Sequence, residues 1–217
     1  TAVSVPCMFS LLDKAHYTKA DAENQSNLLD IVQAAGVDVV WFDNNNGCKG
    51  VCNRVPHEQI STEASNPLCD GDYCFDEILL DRLATVIEQG IERDTLIVLH
   101  MIGSHGPTYF RRYPPRFHEF LPDCPRSDIQ NCSEDAIINT YDNTLLYTDY
   151  VLAEAADMLE RSRPRDPSAL LYISDHGESL GEHGLFLHGM PYKIAPDEQK
   201  TVPELVGFSP AFKTQDN

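Results

Sequence analysis

Five of the eight histidines crowd into two short stretches. One is His100-Met101-Ile102-Gly103-Ser104-His105-Gly106; the other is Asp175-His176-Gly177-Glu178-Ser179, followed by Glu182, His183 and His188. Imidazole nitrogens mixed with carboxylate oxygens suit a divalent transition metal, zinc above all, and a catalytic zinc keeps one position for a substrate or nucleophile. A lone histidine reads as a hydrogen-bonded structural residue, but five beside Asp175, Glu178 and Glu182 point to a metal centre. Asp175 and His176 are neighbours, and on a strand they would face opposite ways. Both reach one ion only where the chain turns, which Gly177 permits. Thr1 is a further candidate: an N-terminal threonine can use its own amine as base, although that reading leaves the histidines unexplained.

The elements that must position these residues alternate. Residues 24–35 carry Leu28, Leu29, Ile31 and Val32 at helical spacing and stop at Gly36. Residues 37–42 (VDVVWF) follow as a strand running into Asp43-Asn44-Asn45-Asn46-Gly47. Residues 76–89 repeat the helix pattern, residues 95–99 (TLIVL) read as a buried strand, residues 134–161 as a long helix, and residues 169–173 (ALLYI) as a third buried strand. Helices between near-continuous apolar strands imply an α/β fold with a parallel sheet covered on both faces. Ligands bind such sheets beyond the carboxyl ends of the strands, where both histidine stretches begin. The polar stretches 48–73 and 107–133 are long excursions, of the kind that are functional or stapled.

Six of the seven cysteines form close pairs, Cys48/Cys52, Cys69/Cys74 and Cys124/Cys132, in polar loops. Such loops gain from local disulfides in an oxidising compartment. A zinc ribbon wants Cys-x-x-Cys twice, which these gaps do not supply. Cys7 is left over as a free thiol, an intermolecular bridge, or one half of a pair whose partner lies outside this sequence.

Lys and Arg total 16 against 34 Asp and Glu, a formal net charge of -18. That excludes a nucleic-acid binder, which needs a basic footprint, and argues against a protein held on anionic lipid by overall charge. No apolar run is long enough to span a bilayer, and no signal peptide opens the chain.

Read together, TAVSVPCMFS, DNNNGCKGVC, HMIGSHGP, INTYDN, ISDHGESLGEHG and LHGMP resemble the lipid A phosphoethanolamine transferases, a group that includes the mobilised colistin-resistance enzymes. The motifs run in family order over nearly the whole chain. The resemblance implies an α/β/α sandwich of the alkaline phosphatase/sulfatase type. It implies one catalytic domain over residues 1–217, short at the N-terminus and at the C-terminus and lacking the family's N-terminal transmembrane domain. That domain faces the periplasm and is tethered to the bacterial inner membrane by the missing helices.

The implied activity is transfer of phosphoethanolamine from phosphatidylethanolamine to lipid A through a phosphothreonine intermediate, conferring polymyxin resistance. Thr1 occupies the position of the family nucleophile, in T-x-x-S-V-P-C. The family zinc is held by that threonine, by the Asp-His pair, here Asp175 and His176, and by a glutamate expected upstream of Thr1. His105 and His188 match histidines on the substrate side that in some members bind a second zinc. Lys49 is placed to meet a phosphate. Glu178 joins His105, His188 and Lys49 as a residue for substrate or a second metal, or, like His100, orients a ligand, transfers a proton or is structural; Asn139 and Asn143, on one helix face, line the pocket or bond structurally. His183 departs from the family pattern and is not counted as a ligand. Arg111, Arg112 and Arg116 form a basic cluster, solvated or turned toward lipid A. A monomer without nucleic-acid partners is implied. The alternatives are another phospho-transferase or a hydrolase of the superfamily, such as a phosphoglycerol transferase, or an inactive metal-binding remnant.

Overall fold

A computed structural model of the chain describes residues 3–13, 15–162 and 166–213. The chain divides into two compact units, residues 1–102 and 103–217. Among the described residues no helix is long and apolar enough to cross a membrane.

The first unit holds helices α1 (Ser4–Phe9), α2 (Lys19–Glu23), α3 (Leu28–Ala34) and α4 (Ile78–Gln89), with strands β1 (Asp38–Asp43), β2 (His57–Gln59) and β3 (Thr95–His100). The strands form a parallel sheet in the order β2-β1-β3. Strand β1 is buried on both sides. Val39 and Trp41 pack with Val5 and Leu29, while Phe42, on the alternate face, packs with Ile78 and Leu79. Helices on both faces of a parallel sheet are what its uninterrupted apolar sequence requires. Helix α3 starts later than periodicity suggests because Asn27 is its cap: its side chain accepts from the backbone N–H groups of Leu29 and Asp30, and Asp30 reciprocates. That capping box satisfies donors the first turn would otherwise leave open. Strand β2 is a short piece that the polar stretch after Cys48 conceals.

The second unit holds α5 (Glu134–Ser162), β4 (Ala169–Ile173), β5 (Ser179–Leu180), β6 (Phe186–Leu187), β7 (Glu204–Phe208) and α6 (Pro210–Lys213). Here the strand at 169–173 departs from its sequence reading. Among the described residues strand β4 pairs antiparallel with β7 alone, Ala169 opposite Phe208 and Ile173 opposite Glu204. In this two-stranded ribbon Ala169, Leu171 and Ile173 alternate outward, and Leu171 is 64% exposed.

Helix α5 anchors the irregular chain before it. The Oδ1 of Asn143 accepts from the backbone N–H of Glu119 and Phe120, and its amide donates to Phe120 O. Asn139 donates to Pro122 O, and the hydroxyl of Thr140 accepts from Cys124 N. Disulfides Cys48–Cys52, Cys69–Cys74 and Cys124–Cys132 pin the two polar excursions. Cys7 is free.

Candidate metal centre

Three histidines of the second unit are each engaged through Nδ1, two of them by the backbone. His105 Nδ1 lies 2.7 Å from Gly106 O and His176 Nδ1 lies 3.0 Å from Gly177 O. A carbonyl only accepts, so in each ring Nδ1 carries the proton and Nε2 the lone pair. His188 Nδ1 meets the Glu178 carboxylate at 2.6 Å, which fixes the same tautomer. The rings stand together: centroids of His176 and His188 are 3.9 Å apart, of His105 and His188 5.1 Å, and of His105 and His176 6.3 Å. Three imidazoles each oriented through Nδ1 leave Nε2 to act as a ligand, as metal-binding histidines do.

His176 Nε2 is buried and has no hydrogen-bond partner among the described residues. A buried polar nitrogen without a partner needs an explanation. The Oδ1 of Asp175 is 3.6 Å from that nitrogen. One donor atom each from His176, Glu178 and His188 lies within 4.8 Å of the others. An orphaned imidazole nitrogen beside a carboxylate and two further histidines fits a zinc ion.

The turn that presents Asp175 and His176 depends on Gly177 for close approach rather than for a left-handed backbone. A Cβ there would fall 1.9 Å from Glu198 O, and Gly177 N donates to Gln199 O. His105 is held toward its neutral form, first by burial and then by the nearby His188, against the pull of its bond to Gly106 and of Glu178. Tyr109, 2% exposed, donates its hydroxyl proton to the Oε2 of Glu178 at 2.7 Å. Burial, and after it the Glu178 charge, raises that phenol far above its ordinary range. The same two causes push Tyr141 up to about 12.

The other sequence candidates fall elsewhere. Thr1 lies outside the described residues. His183 is exposed, in a left-handed backbone conformation with φ 55. Asn139 and Asn143 hold the loop at 119–122, a structural role. Arg112 is buried, donating to His105 O and Thr108 Oγ1, and Arg116 lies over the rings of Phe117 and Tyr150.

In the first unit, His100 Nδ1 meets Asp43 Oδ2 at 2.7 Å. Lys49 lines a cavity of about 270 Å³ together with Asp43, Gly47, Asn53, His57 and Gln59, and its ammonium donates to Asn46 O. Sequence reasoning missed Tyr109 and Asp43. The partner of Tyr109 is 69 positions away, so no local spacing signals it. Asp43, by contrast, ends a strand at the head of the Asn-rich loop, which is a signal of place.

Comparison with known proteins follows the same lines. The family described as Sulfatase matches residues 1–217. Phosphoethanolamine transferase EptA of Salmonella typhimurium is 51% identical over 214 residues, covering 98% of this chain. The chain spans 39% of the length of that curated relative. The soluble domain of lipooligosaccharide phosphoethanolamine transferase A from Neisseria meningitidis is 44% identical with a TM-score of 0.91, over 99% of this chain and 64% of that one. The integral membrane protein lipooligosaccharide phosphoethanolamine transferase A (EptA) from the same organism is 45% identical with a TM-score of 0.95, over 100% of this chain and 40% of that one.

Proposed function

The chain belongs to the sulfatase family, and from that premise we propose that it carries the catalytic chemistry of a zinc-dependent transferase. The enzyme moves phosphoethanolamine from phosphatidylethanolamine to lipid A, and the chain forms its catalytic domain. The observation that carries this reading is the buried Nε2 of His176, without a hydrogen-bond partner among the described residues and beside Asp175. It stands in a chain whose similar relatives are named phosphoethanolamine transferases.

Asp175 and His176 hold the ion, with Thr1 as the nucleophile that shares it; His105 and His188 serve the substrate phosphate or a second zinc. Bound zinc supplies positive charge that makes a threonine hydroxyl acidic and neutralises phosphoryl oxygens. Thr1 Oγ forms a bond to the donor phosphorus as the bond to the diacylglycerol oxygen breaks, and the hydroxyl proton leaves with diacylglycerol. An oxygen of a lipid A phosphate then bonds to that phosphorus as the bond to Thr1 Oγ breaks, and the proton of the acceptor phosphate passes to Thr1 Oγ and regenerates the hydroxyl. Phosphoryl transfer asks mainly for positioning and electrostatics. The Nδ1–H bonds of His105 and His188 meet the first need by fixing each ring, and Lys49 offers a cation to a phosphate.

The relative that is an integral membrane protein supports an enzyme tethered in the bacterial inner membrane, with this chain on the periplasmic side. Three loop disulfides suit that oxidising compartment. Lipid A carrying phosphoethanolamine loses negative charge, so polymyxin resistance is the expected cellular outcome.

Intact-mass measurement after incubation with phosphatidylethanolamine tests the reading. A phosphoethanolamine adduct on Thr1, absent in Thr1→Ala, is expected; no adduct, or one that survives in that variant, overturns it.

A further inference from the structure

The phenol of Tyr109 and the ring of His188 are joined through one carboxylate. Glu178 Oε2 accepts from Tyr109 at 2.7 Å, and Glu178 Oε1 accepts from His188 Nδ1 at 2.6 Å. Tyr109 has little room to move. It packs with Cys124, Ile129 and Ile137, and the Tyr141 ring stands edge-on to it at 5.5 Å. Gly106 abuts it so closely that a Cβ there would lie 2.7 Å from the phenol oxygen.

His105 and His176 obtain their tautomer from the carbonyl next in the chain, whereas His188 obtains its own from a side chain that could turn. Oε1 of Glu178 is also 3.8 Å from His176 Nδ1. A carboxylate freed at Oε2 can therefore rotate toward His176 and leave His188 without its acceptor.

We infer that Tyr109 is a positioning residue: acting through Glu178, it holds His188 with its proton on Nδ1 and its Nε2 lone pair presented, so that Glu178 buttresses the metal centre instead of ligating it. Carboxylates behind metal-binding histidines act in this way, and their loss typically weakens metal binding 10- to 100-fold. For its affinity consequence alone the inference rests on the reading above in which His188 binds zinc; the tautomer of His188 is a property of the zinc-free chain.

The test uses the whole chain with 15N-labelled histidine. In zinc-free protein, the ring nitrogens of His188 are expected to report a single Nδ1–H tautomer, and Tyr109→Phe is expected to shift them to a mixture. Competition with a chromogenic chelator is expected to show zinc held about tenfold more weakly by Tyr109→Phe. Glu178→Gln should weaken zinc at least as much, and the double variant should be no weaker than Glu178→Gln alone, because the tyrosine acts through the carboxylate. A Tyr109→Phe chain that melts lower yet keeps the tautomer and the zinc affinity would assign the tyrosine a packing role only and overturn the inference. Additive losses in the double variant would overturn it as well. Should the unaltered chain bind no zinc, the metal reading fails, while the ring nitrogens of His188 still decide the role of Tyr109.

Discussion

Asp43 and His100 are opposite one another at the carboxyl ends of the parallel strands β1 and β3, and their side chains meet at 2.7 Å. The carboxylate is fully engaged. Its Oδ2 also accepts from Trp41 Nε1, and its Oδ1 accepts from the backbone N–H groups of Asn45 and Gly47. It therefore ties the last residues of two strands to the first turn of the Asn-rich loop that carries Lys49.

Replacing Asp43 by Asn should destabilise the chain by about 3 kcal/mol, because hydrogen bonds to a charged group contribute roughly 1.5–3 kcal/mol and unmet buried donors are costly. Whichever way the new amide turns, its NH2 faces at least one N–H that formerly donated to the carboxylate. Urea unfolding at neutral pH measures the loss.

The same site sets an acid limit. Burial pushes the Asp43 carboxyl up, but bonds from His100, Trp41 and Asn45 outweigh it and hold the group well below the usual carboxylate range. A folded-state pKa below the unfolded value of about 3.9 means the stabilisation is complete above that pH and is lost as pH falls toward the folded value. Unfolding free energy measured from pH 6 downward should decline below about pH 4, and the gap between the parent chain and Asp43→Asn should narrow over that interval. A gap constant with pH would refute the assignment.

Asn143 is buried in α5 and holds two backbone N–H groups and one carbonyl of the 119–120 segment. Asn143→Ala should cost about 2 kcal/mol, since truncation strands buried polar groups at roughly 1–3 kcal/mol. Amide exchange at Glu119 and Phe120 should quicken more than exchange in the middle of α5, which separates a loosened loop from general destabilisation.

How much of this was legible beforehand depends on the range of the interaction. Strands β1 and β3 and helices α3 and α4 follow from runs of apolar residues, because their burial is decided by neighbours a few positions away. The start of α3 does not follow, since Asn27 begins the helix through its side chain. The sequence Ala-Leu-Leu-Tyr-Ile predicts a buried strand at 169–173 because it looks the same whether a strand has one neighbour or two. The His105-Gly106 and His176-Gly177 pairs were visible as dipeptides, and their ring-to-carbonyl bonds are local. The link from Tyr109 to Glu178 was not visible, because only tertiary packing brings a tyrosine and a glutamate 69 positions apart into contact.

Gly177→Ala tests the turn behind the metal centre. The added methyl would lie 1.9 Å from a backbone oxygen, Glu198 O. That atom cannot swing aside as a side-chain tip can, so the segments at 175–178 and 197–201 must part. The variant should lose several kcal/mol, the tail of the mutational distribution where backbone must move, and its zinc binding should fall with the displacement of Asp175 and His176. Zinc affinity equal to that of the parent chain would show that the close approach does not position the ligands.

His176→Leu separates the two roles of that residue. In the zinc-free chain, Leu removes an imidazole nitrogen that is buried without a hydrogen-bond partner among the described residues at the expense of one ring bond to Gly177 O. A net hydrogen bond contributes about 1 kcal/mol and relief of an unsatisfied group returns a similar amount, so the zinc-free variant should melt within a few degrees of the zinc-free parent. Added zinc stabilises any folded chain that binds it by about 2.7 kcal/mol at a hundredfold excess over Kd. The parent should therefore melt higher with zinc and lower again with a chelator, while His176→Leu should respond to neither. Calorimetric scans of both chains, with and without zinc, read all four states. Equal zinc-induced shifts in the two chains would remove His176 from the ligand set, and a large deficit in the zinc-free variant would make the residue a structural one.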